Sequence, residues 1–134
     1  MKPALVDTDI LSEFLRGTTK VVENAEKYLQ FYDAINFSII TYYEILNGLL
    51  YKDAKKQLKK FTDFADLNKI LPLTLSATRQ AAEIFVDLKK TGQPIGHTDC
   101  LIAGIAFTNG LQLVTNNIDH FKRVKGLEIV NWLQ

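Results

Sequence analysis

Cysteine, proline and glycine are scarce in this chain: one, three and seven in 134 residues. A lone Cys100 cannot close an intrachain disulfide, and without a Cys/His cluster there is no zinc site to read, so a reducing, cytoplasmic setting is expected. Few Pro and Gly leave no linker or low-complexity arm. No apolar run approaches the roughly 18 residues of a membrane span, and no basic-plus-apolar leader is present, so no membrane partner is expected. Net charge is nearly absent too. Sixteen Lys and Arg against 15 Asp and Glu leave +1, which gives no global attraction for a polyanion. Any nucleic-acid contact must therefore come from local basic patches. What is present, 47% hydrophobic and 23% charged residues, is the composition of an ordinary globule of one domain, 1–134.

The pattern along the chain alternates short apolar runs with amphipathic stretches. Ala4, Leu5 and Val6 end abruptly at Asp7 and read as a buried strand, followed by a helix over 9–16 that stops at Gly17. A second helix is expected over 20–33, with Val22, Ala25, Leu29 and Tyr32 on its apolar side. A strand over 35–39 follows, then a helix starting at Thr41 and interrupted by Gly48, and a charged helix over 53–66. A strand candidate over 69–73 carries Pro72, which suits a sheet edge or a strand end. Ser76 is the expected cap of a helix to Lys90, with Ala77, Ala81, Ile84, Phe85 and Leu88 as its stripe. Residues 91–96 form the main loop. The stretch 98–109 is nearly all apolar and should lie between layers. Strands over 111–115 and 127–130 flank a turn or short helix. Helices alternating with short strands predict a three-layer α/β/α domain with a mainly parallel sheet.

Acids sit where these runs hand over to helices. Asp7 and Asp9 follow the first strand, Glu44 follows the second, and Asp99 opens the apolar helix. Each has a local explanation. Thr41 to Glu44 has the spacing of a capping box, and Asp99 in a first helical turn is favoured by the macrodipole. Together they carry another meaning, because right-handed crossovers bring such junctions to one sheet edge. Carboxylates crowded there repel unless a cation lies between them. Hard oxygen donors suit Mg²⁺.

Residues 5–12, 38–48 and 98–103, with Leu113-Val114-Thr115-Asn116-Asn117, Phe121 and Trp132, resemble the PIN-domain ribonucleases, and among them most nearly the VapC toxins of bacterial toxin–antitoxin pairs. The resemblance covers the whole chain in order. It implies a single PIN-like domain in which Asp7, Glu44 and Asp99 bind Mg²⁺ (or Mn²⁺) and carry endoribonuclease chemistry on RNA, such as a tRNA loop. It also implies a homodimer and a VapB-like antitoxin partner. Two departures stand out: Asp9 replaces an asparagine of the family pattern, and Asn117 stands where many relatives have a fourth acid, with Asp119 and His120 close behind.

Thr8 and Thr115 are candidates to orient water or phosphate. Lys52, Lys55, Lys56, Lys59 and Lys60 recur at helical spacing as a basic stripe for RNA, with a shorter cluster at Lys122, Arg123 and Lys125. Tyr42, Tyr43 and Tyr51 are available to stack bases, though helical spacing also suits packing. His97 is expected to hold its loop, His120 is isolated in sequence, and Cys100 is expected in the core. Two alternatives remain open at this level. One is a catalytically weak PIN-like binding module. The other is a haloacid-dehalogenase-type phosphatase, to which Asp7-Thr8-Asp9 after an apolar strand is also similar.

Overall fold

The computed structural model describes residues 1–134. Five parallel strands form one sheet: β1 (Ala4–Val6), β2 (Asn36–Ser38), β3 (Lys69–Leu71), β4 (Gln112–Val114) and β5 (Ile129–Val130), in the spatial order β3-β2-β1-β4-β5. Seven helices join them: α1 (Thr8–Leu15), α2 (Thr19–Leu29), α3 (Ile39–Tyr51), α4 (Lys55–Leu67), α5 (Leu75–Lys90), α6 (His97–Thr108) and α7 (Ile118–Phe121). This is the expected α/β/α arrangement, with every strand pair parallel.

β1 lies in the middle, and its alternation sorts two cores. Ala4 and Val6 face a cluster built with Ile10, Tyr28, Phe37, Phe61 and Trp132, whereas Leu5 faces one built with Ala77, Ala81, Ile102, Ala103 and Leu113. A strand covered on both faces must be apolar throughout, which is why Ala4 to Val6 shows no polar alternation. Stepping from β1 to β2 to β3, right-handed crossovers place α1 to α4 on one face. The return from β3 to β4, on the far side of β1, places α5 and α6 on the other. That reversal opens a crevice at the carboxyl ends of β1 and β4, where ligands bind in open α/β sheets.

Several local expectations are corrected. α2 buries Val21, Ala25 and Tyr28, one position off the expected Val22 and Leu29, and Leu29 is exposed. The hydroxyl of Tyr28 fixes this rotation by accepting from the Ala4 amide at 3.1 Å, so the aromatic ring serves β1. α3 begins at Ile39 and runs unbroken through Gly48, and the half-exposed Ile39 is no part of β2. Ser38 caps α3 by accepting from the Thr41 amide at 3.0 Å, so Thr41 is not the cap. Thr74 rather than Ser76 caps α5, accepting from the Ala77 amide at 3.0 Å. Pro72 follows β3, and β3 is indeed an edge strand.

α6 is buried along Cys100 and Ile102 to Ala106, as its apolar sequence requires. Its Gly104 lies under α5. A Cβ there would stand 2.5 Å from the Ala77 carbonyl oxygen and 3.0 Å from the Ala81 Cβ, so only glycine permits this approach. The approach anchors the first turn of α6, which carries Asp99. α3 is followed by a left-handed residue, Asp53 (φ 52°), and the Ala54 amide closes back on the Leu49 carbonyl at 3.1 Å, turning the chain directly into α4.

Candidate active site

The crevice is built from the end of β1. The Asp7 amide donates to the Val114 carbonyl at 2.8 Å, joining β1 to β4 where both strands stop. Asp7 caps α1, with Oδ1 accepting from the Thr8 amide at 2.8 Å and Oδ2 accepting from Thr115 Oγ1, also at 2.8 Å. The buried Thr115 spends its single proton on Asp7 and in turn accepts from the Asn117 amide at 2.9 Å. Asp9, in the first turn of α1, accepts from the Ile10 amide at 2.7 Å and from the Asn116 amide at 3.0 Å. Both acids are therefore held by the loop that leaves β4. Thr115 acts as a support for Asp7, with its hydroxyl proton already committed.

Burial pushes the Asp7 carboxyl up to about 7, and the nearby charges of Asp9 and Asp99 add to the rise against the hydrogen bonds from Thr115 and Thr8. Asp9 is raised as well, first by burial and then by Asp99, while its own hydrogen bonds pull it down. No Lys or Arg pairs with either carboxylate. The structure thus brings Asp7, Asp9 and Asp99 within one another's electrostatic field, with no Lys or Arg set against them.

Glu44 joins from the side. The capping box expected for Thr41 and Glu44 does not form, because the helix begins earlier and leaves Thr41 buried on its inner face. Thr8 Oγ1 instead donates to Glu44 Oε1 at 2.7 Å. A hydroxyl has one proton, so Thr8 must accept from Thr41 Oγ1 at 2.9 Å, and Thr41 must accept from Ser38 Oγ at 3.3 Å. Proton counting gives this chain a single direction: Ser38 to Thr41 to Thr8 to Glu44. Thr8 is therefore not free to orient a phosphate, and its role is to hold Glu44.

On the opposite side Asp99 contacts His120 Nδ1 at 3.2 Å, and the same nitrogen lies 2.9 Å from the Asn117 side-chain amide. Asp99 as a carboxylate can only accept and the Asn117 nitrogen can only donate, so the one Nδ1 atom serves Asp99 when it carries the proton and Asn117 when it does not. Asp9 and His120 are the residues that sequence reasoning undervalued. Asp9 had a visible signal, two positions after Asp7. His120 had none, since only tertiary folding brings it to Asp99. Asp119, by contrast, is exposed and pairs with Lys122 at 3.3 Å, away from the acids.

The remaining candidates divide. Lys52 and Lys60 line a groove that begins at Thr8 and Glu44. Lys55, Lys56 and Lys59 face outward with Asp63, which holds Lys59 at 3.2 Å. Arg123 donates to the Pro94 carbonyl at 3.2 Å. Tyr42 packs against Phe61 in the core, while Tyr43 and Tyr51 are exposed. His97 stacks on Phe85 at 4.3 Å, holding the loop end as expected. Cys100 is buried, and burial pushes its thiol up.

No three His, Cys, Asp or Glu side chains stand close enough together to form a ready-made metal cage. The donors nonetheless suit a hard divalent ion. Asp7 and Asp9 offer oxygen only, their charge has no protein counter-cation, and Mg²⁺ needs just one or two carboxylates with water completing its shell.

No helix is long and apolar enough to cross a membrane. A family profile described as PIN domain matches residues 4–127. Ribonuclease VapC1 of Rickettsia felis is 32% identical over 130 residues, covering 94% of this chain and 93% of that protein. The tRNA(fMet)-specific endonuclease VapC of Salmonella typhimurium is 32% identical over 96 residues, covering 71% and 73%. Among solved structures, a chain of VapBC2 from Rickettsia felis, crystallised with a DNA fragment from its promoter, superposes with a TM-score of 0.87 at 28% identity, covering 96% of this chain and 98% of that one. These relatives are named as nucleases, and none of them as a phosphatase of the haloacid-dehalogenase type. The chain belongs to the PIN-domain family, within its VapC ribonuclease branch.

Proposed function

We propose that the chain is a Mg²⁺- or Mn²⁺-dependent endoribonuclease toxin, held in check by a VapB-like antitoxin and acting as a homodimer on RNA such as a tRNA. The observation that carries this reading is the crowding of Asp7, Asp9 and Asp99 at the β1/β4 crevice, which with burial raises the Asp7 and Asp9 carboxyls and sets no Lys or Arg against them. Relatives of the same length are named as ribonucleases, one of them specific for tRNA(fMet), and VapBC complexes share the fold.

Asp7 and Asp99 would hold the ion, with Asp9 beside them. A bound divalent cation supplies charge stabilisation at the scissile phosphate and eases deprotonation of water. Glu44 accepts the proton of the attacking water at Oε2, because Oε1 is occupied by the Thr8 hydroxyl. Thr115 and the Asn116 and Asn117 amides keep the acids in place. Cleavage of RNA by the antitoxin-free protein is expected in Mg²⁺ or Mn²⁺ and lost in EDTA. Asp7→Asn and Asp99→Asn are expected to abolish it with the fold intact by circular dichroism. Parental rates in Asp7→Asn would reject the assignment.

A second reading, a PIN-like module that binds RNA or protein with weakened chemistry, is favoured by one feature. Asn117 and His120 occupy the region where the family resemblance puts a fourth acid. Its signature is Mn²⁺ binding by calorimetry without cleavage of any RNA.

A further inference from the structure

Two helical stripes leave the acid pocket side by side. Along α1 and its cap, Thr8, Ser12 and Arg16 succeed one another at intervals of four; along α3 and its cap, Glu44, Gly48 and Lys52 do the same. Residues four apart share a helix face. All six line a cavity of about 310 Å³, closed on the third side by Gln57 and Lys60 of α4. Thr8 and Glu44 stand at one end, and Arg16, Lys52 and Lys60 at the other. Eight residues of helix, at about 1.5 Å each, separate the two ends by about 12 Å.

Gly48 sits midway. Glycine weakens a helix interior, so its presence needs a reason. Packing is not that reason, because a Cβ built there meets nothing within 4 Å. A side chain at this position would enter the groove.

We infer that the groove binds the stretch of single-stranded RNA adjoining the scissile phosphate, with Arg16, Lys52 and Lys60 taking backbone phosphates and Gly48 keeping the path open. This rests on the ribonuclease reading above. The cations keep donors to spare. Lys60 commits one bond to the Leu15 carbonyl at 2.7 Å, Arg16 commits one nitrogen to Glu13 at 2.6 Å, and Lys52 makes no ion pair. The outward lysines Lys55, Lys56 and Lys59 open with Asp63 on a neighbouring depression, and only Lys60 lines both it and the groove. The groove passes from an anionic end to a cationic end. A strand whose first phosphate is bridged to the acids by a divalent ion, and whose next phosphates meet cations, matches both ends. An acidic peptide matches only one.

The test measures anisotropy of a labelled single-stranded RNA oligonucleotide on Asp7→Asn protein in Mg²⁺, across salt. Gly48→Leu is expected to keep or raise the melting temperature and to lose RNA binding. Lys52→Ala with Lys60→Ala is expected to weaken binding and lower the log–log salt slope by about 2, one per phosphate contact. Lys55→Ala with Lys56→Ala is expected to do neither. RNA affinity unchanged in a folded Gly48→Leu, or equal losses in the two lysine pairs, overturns the inference. So does a Gly48→Leu variant that excludes antitoxin yet still binds RNA. Cleavage by the parent chain is measured alongside. If the parent fails to cleave, the ribonuclease reading falls; if it cleaves while the groove variants bind normally, the groove alone falls.

Discussion

The two helical layers solve the same packing problem with opposite materials. The layer of α1 to α4 is filled with rings: Phe14, Tyr28, Phe37, Tyr42, Phe61 and Phe64 meet across it, Phe37 and Phe61 at 6.3 Å between centroids. The layer of α5 and α6 is filled with small residues, with Ala77, Ala81, Ala103, Gly104 and Ala106 bringing the two helices almost to backbone contact. Large rings hold helices apart, and the groove from Glu44 to Lys52 lies in that layer. Small residues leave no such space, and Asp99 projects from the tightly seated helix. The open layer suits a ligand that must enter and leave, and the closed one suits an acid that must not move.

Removing volume should therefore hurt most in the first layer. Phe61→Ala is expected to cost about 3–5 kcal/mol by urea denaturation, the range for a buried phenylalanine deleted without collapse. In the second layer the damage comes from adding volume. Gly104→Ala sets a methyl 2.5 Å from the Ala77 carbonyl oxygen and is expected to cost about 1–3 kcal/mol. It should also lower RNA cleavage, because α5 can yield only by shifting α6 and Asp99. A neutral Gly104→Ala would show that the layer is looser than the contact implies.

Asp7 lies between the layers, and its pH behaviour follows from its burial. Its carboxyl holds a proton up to about 7 in the folded chain, against an ordinary 3.8. The folded state binds that proton more tightly, so the contribution is fully present below 3.8 and is lost as pH rises through 7. The melting temperature of the metal-free protein is expected to fall between pH 5 and pH 8 and to recover at pH 8 on addition of Mn²⁺. Asp7→Asn should flatten the profile and abolish the recovery. A parental profile that rises over this interval would contradict the burial argument.

The fold was legible because its signals are local. Short apolar runs ending in acid, amphipathic stretches between them and one wholly apolar helix leave few architectures besides a parallel sheet between helical layers. The errors fall where a tertiary contact chose between neighbouring options. Tyr28 turned α2 by one residue to reach the Ala4 amide, and Ser38 took the cap assigned to Thr41. The site was half legible for the same reason. Asp7, Glu44 and Asp99 could be named from their junctions, and the family resemblance gave the three a common role. His120 acquires a meaning only when α7 is folded against α6, and which lysines flank the groove depends on how α4 turns after Asp53.

The most local expected effect bears on the side of the pocket that belongs to the ring-filled layer. Thr41→Val keeps the shape of a fully buried residue and removes one hydroxyl from the chain Ser38, Thr41, Thr8 and Glu44. The Ser38 hydroxyl then loses its acceptor in a dry site, at a cost of about 1–3 kcal/mol. Thr8 can still donate to Glu44 but is no longer oriented by a partner, so Glu44 should hold the attacking water less well. RNA cleavage is expected to drop in kcat with KM nearly unchanged, since groove contacts are untouched, and Thr41→Ser is expected to restore it. If Thr41→Ser is as slow as Thr41→Val, the methyl group matters and the hydroxyl chain does not, leaving Glu44 positioned by packing alone.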